Sequence, residues 1–145
     1  MFLFRSPSPS QVNLALAILR LTVGTVFIGH GAQKLFTFGM AGISGGFAQM
    51  GVPLPGVMGP IISVLEFFGG IALVLGLLTR LVALGLSCDM LGAIIFVHGK
   101  AGFFLPNGYE FVFLLLGASL TLVVAGAGRY AVDDLIARRS STTVG

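Results

Sequence analysis

Five acidic and eight basic side chains carry all the formal charge in 145 residues. Each one that falls inside an apolar run therefore needs a partner, water or a task. Glu66 and Asp89 are carboxyls in that position, and carboxyls held in an apolar setting are suited to taking up and releasing protons. They are the catalytic candidates. Arg20 interrupts a third apolar run and brings a permanent positive charge that can hold an anion or balance a carboxylate. His30 and Lys34 stand one helical turn apart, so both can reach one anion or one quinone oxygen. With Arg20, His98 and Glu110, they make up the ligand-binding candidates. The competing reading is an ion-pair network that only fixes the register of the helices.

Other chemistries lack their residues. The single cysteine, Cys88, allows neither an intramolecular disulfide nor a C-x-x-C couple, and it reads as buried packing. His30 has no second histidine one turn away and no cysteine partner, so no metal is assigned. There is no phosphate loop, nucleotide fingerprint or nucleophile elbow. The net charge of +3 is spread over segment ends instead of gathered in a patch, which argues against a nucleic-acid partner.

The elements that must position these residues are apolar and long. The chain is 56% hydrophobic and 9% charged, and the segments 12–36, 57–78, 81–98 and 111–127 each approach the ~20 residues a membrane crossing needs. The expected fold is all-α and integral to the membrane, a four-helix transmembrane bundle in one domain. Arg5, Arg80, Arg129, Arg138 and Arg139 fall on one side of it, and Lys34 and Lys100 on the other. The positive-inside rule then puts both termini in the cytoplasm. Around residues 12–137 the expectation is an N-terminal tail at 1–11, a Gly- and Pro-rich external loop at 39–56, an interfacial segment at 129–139 and a C-terminal tail at 138–145, with the last six residues unstructured.

Small residues recur at heptad spacing: Ala17, Gly24 and Gly31; Gly69 and Gly76; Gly85, Gly92 and Gly99; and, at spacings of four, Gly117, Thr121 and Ala125. Such stripes let membrane helices approach closely. The ionisable residues lie three, four or seven positions from them and so share their faces. Counting about 1.5 Å per residue puts Arg20 and Asp89 at the same depth, which makes them the expected ion pair. Glu66 lies nearer the outside, within reach of Arg20 or His30. The result is an outward-opening polar pocket, its floor formed by Arg20, Asp89 and Glu66 and its rim by His30, Lys34, His98 and Glu110.

Three stretches carry a resemblance. Arg20, Gly24, Phe27, His30-Gly31 and Lys34-Leu35-Phe36 follow the pattern R-x3-G-x2-F-x2-H-G-x2-K-L-F. Glu66-Phe67-Phe68-Gly69-Gly70 is followed by Gly76 and Thr79-Arg80. The run from Gly126 to Asp133 reads G-x-G-R-Y-x-x-D. In combination these motifs resemble the DoxX family of small bacterial inner-membrane proteins. The resemblance implies a multi-pass inner-membrane location and a four-helix bundle in the lipid bilayer. It also implies a subunit of a membrane redox system with quinone as its cofactor, since relatives include the membrane subunit of a thiosulfate:quinone oxidoreductase. Electrons would then come from a protein partner or the substrate, and a partner or a homo-oligomer is expected. Other relatives act as membrane chaperones or cargo receptors, so an assembly or scaffold role is the alternative.

Overall fold

Ser8 opens the first helix. In the computed structural model, which describes residues 5–142, its hydroxyl accepts from the Gln11 amide at 3.3 Å and its own amide donates to Gln11 Oε1 at 2.7 Å. This reciprocal capping box, with Pro9 at the first helical position, satisfies amides that have no partner within the helix. Helix α1 (Pro9–Ala32) therefore starts ahead of the apolar run, and the end of the expected tail at 1–11 is helical. Residues 1–4 of that tail lie outside the described residues.

The chain continues from α1 through a π-helical stretch, Gln33–Phe38. It bends at Gly39, where φ is +69°, into α2 (Gly39–Met50). The segment 39–56, expected to be an external loop, is thus helical over most of its length. Its glycines lower helix propensity, but Ile43 and Phe47, one turn apart, are both buried and anchor the helix against the start of α3. After α3 (Pro55–Leu75) a tight turn leads into α4 (Thr79–Gly92). A second π-helical stretch, Ala93–His98, and a short 3-10 turn, Gly99–Ala101, extend α4. Helices α5 (Glu110–Ala125) and α6 (Val132–Thr142) complete the chain. Half of the six residues expected to be unstructured at the C-terminus are thus helical, and residues 143–145 lie outside the described residues.

Among the described residues there is no strand. Three helical stretches are long and apolar enough to cross a membrane, Pro9–Met50, Pro55–Leu75 and Thr79–Ala101, and Glu110–Ala125 is a shorter apolar helix. The surface is inverted relative to a water-soluble protein: Leu114 is 68% exposed and Val124 78%, while Arg20 is 2% and Glu66 4% exposed. Apolar side chains outside and charges inside are what a hydrocarbon solvent demands.

Helix α1 packs along α3 and α4 along α5. A Cβ on Gly24 would lie 2.7 Å from the Gly70 carbonyl oxygen, and one on Gly31 would overlap the Phe67 backbone. The first stripe of small residues therefore does bring α1 and α3 into backbone contact. The stripes of α4 and α5 do so less: a Cβ on Gly92 or Gly117 would meet nothing within 4 Å.

One end of the molecule is clasped. Arg20 donates to the carbonyls of Leu73 (3.0 Å), Val74 (3.2 Å), Ala127 (3.0 Å) and Tyr130. Leu73 and Val74 belong to the last turn of α3, where carbonyls run short of intrahelical donors and Leu73 also accepts from the capping Gly76 amide at 3.1 Å; the other two belong to the link between α5 and α6. The α3–α4 turn holds Gly76 at φ +69° and Leu78 at φ +49°, and a Cβ on Gly76 would collide with Ala131 and the Arg20 guanidinium. Asp133, within the segment expected to lie at the interface, caps α4: its carboxylate accepts from the amides of Leu78 (2.7 Å) and Thr79 (2.9 Å), and its own amide donates to the Gly76 carbonyl at 2.9 Å.

Candidate functional site

At the opposite end the helices enclose a cavity of about 610 Å³, within the size range of small-molecule sites. Its polar lining comes from three directions. The Lys34 side chain emerges from the π-helical stretch after α1, Glu66 from the middle of α3 and Asp89 from α4. Lys34 Nζ forms an ion pair with Glu66 Oε2, the lysine side chain being 18% and the glutamate 5% exposed. Asp89 lies beside them, its side chain meeting that of Glu66 and within the field of Lys34. Asp89 is 8% exposed, yet its Oδ2 has no hydrogen-bond partner. A buried carboxyl oxygen without a donor is costly and rare.

Two histidines also line the cavity, His30 from α1 and His98 from the extension of α4. His30 Nδ1 lies 3.0 Å from the Val26 carbonyl oxygen and His98 Nδ1 lies 3.1 Å from that of Asn107. A carbonyl can only accept, so in each ring Nδ1 carries the proton, and a neutral imidazole leaves Nε2 as an acceptor. The remaining surface is apolar and aromatic, including Phe27, Leu65, Met90, Phe96 and Phe111. Residues of α2 and the following turn, Phe47, Met50 and Val52, line the end nearest that turn.

The structure brings together Glu66, Asp89, His30, Lys34 and His98. Two candidates stand elsewhere. Arg20 is at the clasped end, bonded to carbonyls, so the expected Arg20–Asp89 ion pair does not form. Equal depth along two helices does not make two side chains face one another, and carbonyls of the last turn of α3 are among Arg20's partners. Glu110, at the start of α5, accepts from the Leu105 amide at 2.9 Å and lines a separate outer groove with Phe111 and Leu114. Cys88, expected to be buried packing, is exposed and on the cavity wall. Sequence reasoning missed the Lys34–Glu66 pair, although both residues belong to the motifs, and missed the cap formed by Asp133, the last residue of the tail motif. In the N-terminal stretch, the signal Ser8-x-x-Gln11 was there to be read.

A helical, apolar-surfaced chain with charged groups and a cavity inside its spans is an integral membrane protein. The DoxX family model matches residues 15–99. An uncharacterized protein of Haemophilus influenzae is 40% identical over 123 residues, covering 82% of this chain and 88% of that protein. A Bacillus subtilis protein named "Putative oxidoreductase CatD" is 35% identical over 119 residues, 82% of this chain and 84% of that protein. Inner membrane protein YqjF of Escherichia coli is 30% identical over 131 residues, 88% of this chain and 95% of that protein. No solved structure matches significantly. The chain belongs to the DoxX family, and it is a multi-pass protein of the bacterial inner membrane.

Proposed function

We propose that this protein is the quinone-handling membrane subunit of a redox system, with the cavity as its headgroup site. The observation that carries the reading is Asp89 Oδ2: a buried carboxyl oxygen with no donor, on the wall of a chamber, beside the Lys34–Glu66 pair. The hydroxyl of the reduced, quinol form, donating to it, would supply the missing hydrogen bond. The oxidoreductase name of the Bacillus subtilis relative supports the same class.

The residues divide the task by their chemistry. A bound quinone supplies the electron-accepting ring, and a protein partner or the substrate supplies the electrons. Lys34 offers a charged donor to a ligand oxygen. One ammonium stands against two carboxyls, so the cluster is neutral when one of them holds a proton, and the Glu66–Asp89 pair can hold one of the two protons that accompany two-electron reduction. The two Nε2 atoms, of His30 and His98, offer acceptors to a quinol hydroxyl. A small anion at Lys34 is the other ligand this lining suits.

The same reading takes α1, α3, α4 with its extension, and α5 as a four-helix transmembrane bundle with both termini cytoplasmic. At about 1.5 Å per residue, α5 is the short member. Arg80, Arg129 and the arginines of α6 fall at the clasped end, which the positive-inside rule assigns to the cytoplasm, and the cavity then opens toward the periplasmic half.

Purified protein in lipid nanodiscs tests the site directly. Asp89→Asn is expected to reduce quinone-linked turnover by ~10²–10⁴-fold, the usual range for a lost acid–base group. Lys34→Ala is expected to weaken quinone binding by roughly 10- to 100-fold, the value of a charged hydrogen bond. Wild-type turnover and affinity in both variants would refute the proposal. An assembly or scaffold role would leave partner capture intact in the same variants.

A further inference from the structure

The two helices that wall the cavity on one side separate as they leave their shared turn. Near the turn they touch: a Cβ on Gly69 would lie 3.2 Å from Val82, and one on Gly85 would lie 3.3 Å from Leu65. Antiparallel neighbours that stayed parallel would touch again one heptad on. Gly92 is seven residues, about 10.5 Å, beyond Gly85, and a Cβ there would meet nothing within 4 Å. Gly92 nonetheless lines the cavity. Around it, Cys88 and Phe96 on α4 and its extension and Ile61 on α3 line the cavity and are exposed, Ile61 by 53% and Phe96 by 38%. A slot at this edge would join the chamber to the outer, lipid-facing surface of the helices.

We infer that the slot between α3 and α4 is a lateral portal through which an amphiphile dissolved in the bilayer enters the chamber, head first, leaving its apolar tail between the two helices. This inference rests on the headgroup reading above and narrows it, because a small anion has no reason to arrive through hydrocarbon. The slot's edges are apolar or glycine, and the polar groups lie at its inner end, where the Lys34–Glu66 pair and the unpartnered Asp89 oxygen wait. That order, apolar outside and polar inside, matches a molecule with a long tail and a small oxygen-bearing head.

The portal can be plugged without disturbing the backbone. Open space at Gly92 lets a larger side chain enter the slot, and Cys88→Phe narrows the same edge independently. Gly117→Phe, on α5 and outside the cavity, is an equally bulky change into open space and serves as the control. Each protein is reconstituted in nanodiscs, and uptake of a decyl-tailed benzoquinone from donor vesicles is timed. Equilibrium binding of its tailless parent from water is measured alongside. The expected result is uptake of the decyl compound slowed about tenfold or more in Gly92→Phe and Cys88→Phe, with wild-type rates in Gly117→Phe. If the wild type binds both compounds and neither plugged variant slows the decyl compound, the portal is overturned while the headgroup site stands. If the wild type binds neither compound, the headgroup site fails and the portal with it.

Discussion

At the scale of single residues, the three charged groups in the cavity differ in what they owe to the fold. Lys34 and Glu66 form the ion pair, and Asp89 beside them is the one group left to answer whichever partner remains when the other is removed. Lys34→Met or Glu66→Leu alone is expected to cost ~3–5 kcal/mol, and the double substitution is expected to recover most of it, because an apolar pair replaces a paired charge at little net cost. Thermal unfolding of the four proteins in one detergent measures the cycle. Asp89 offers a contrast: its Oδ2 makes no hydrogen bond, so Asp89→Asn leaves the melting temperature near that of the wild type while removing the carboxyl on which the proposed proton store depends. The importance of these residues was legible in the sequence because an ionisable group inside an apolar run is conspicuous. Their pairing was not legible. Lys34 reaches Glu66 from a π-helical stretch, and counting at 3.6 residues per turn misplaces a side chain that follows such a change of winding.

At the scale of elements, the clasp around the α3–α4 turn joins parts far apart in sequence. Arg20 on α1 gathers carbonyls from α3 and from the α5–α6 link, and Asp133 on α6 caps α4. Hydrogen bonds from a charged donor are worth ~1.5–3 kcal/mol each, and loss of a helix cap costs ~0.5–2 kcal/mol. Arg20→Met is therefore expected to destabilise the protein far more than Asp133→Ala. In whatever fraction of Arg20→Met remains folded, quinone affinity should equal that of the wild type, since Arg20 lies at the other end from the cavity. Unfolding and binding measured on the same preparation separate the two effects. The apolar segments could be located in the sequence because length and hydropathy define them. Helix α2 could not: its glycines signal a break, and only the burial of Ile43 and Phe47 against α3, a tertiary effect, makes it a helix.

At the scale of the whole molecule, the two ends have separate duties, one holding helices together and the other holding space open. The orientation assigned to them predicts that a fluorescent protein fused after Gly145 fluoresces in the cytoplasm and that a periplasm-dependent phosphatase fused at the same point is inactive. The opposite pair of results would invert the proposed topology. The two π-helical stretches, Gln33–Phe38 and Ala93–His98, carry a requirement of their own. Each feeds a side chain into the chamber, Lys34 and His98 respectively, and the first also aims α2 at its resting place. Their tolerance is consequently one of length more than of composition. Deleting one residue from Gln33–Phe38 would rotate α2 by about 100° around the helix axis, turning Ile43 and Phe47 off their seat and unroofing the chamber, whereas exchanging one apolar residue for another in that stretch would leave the aim unchanged.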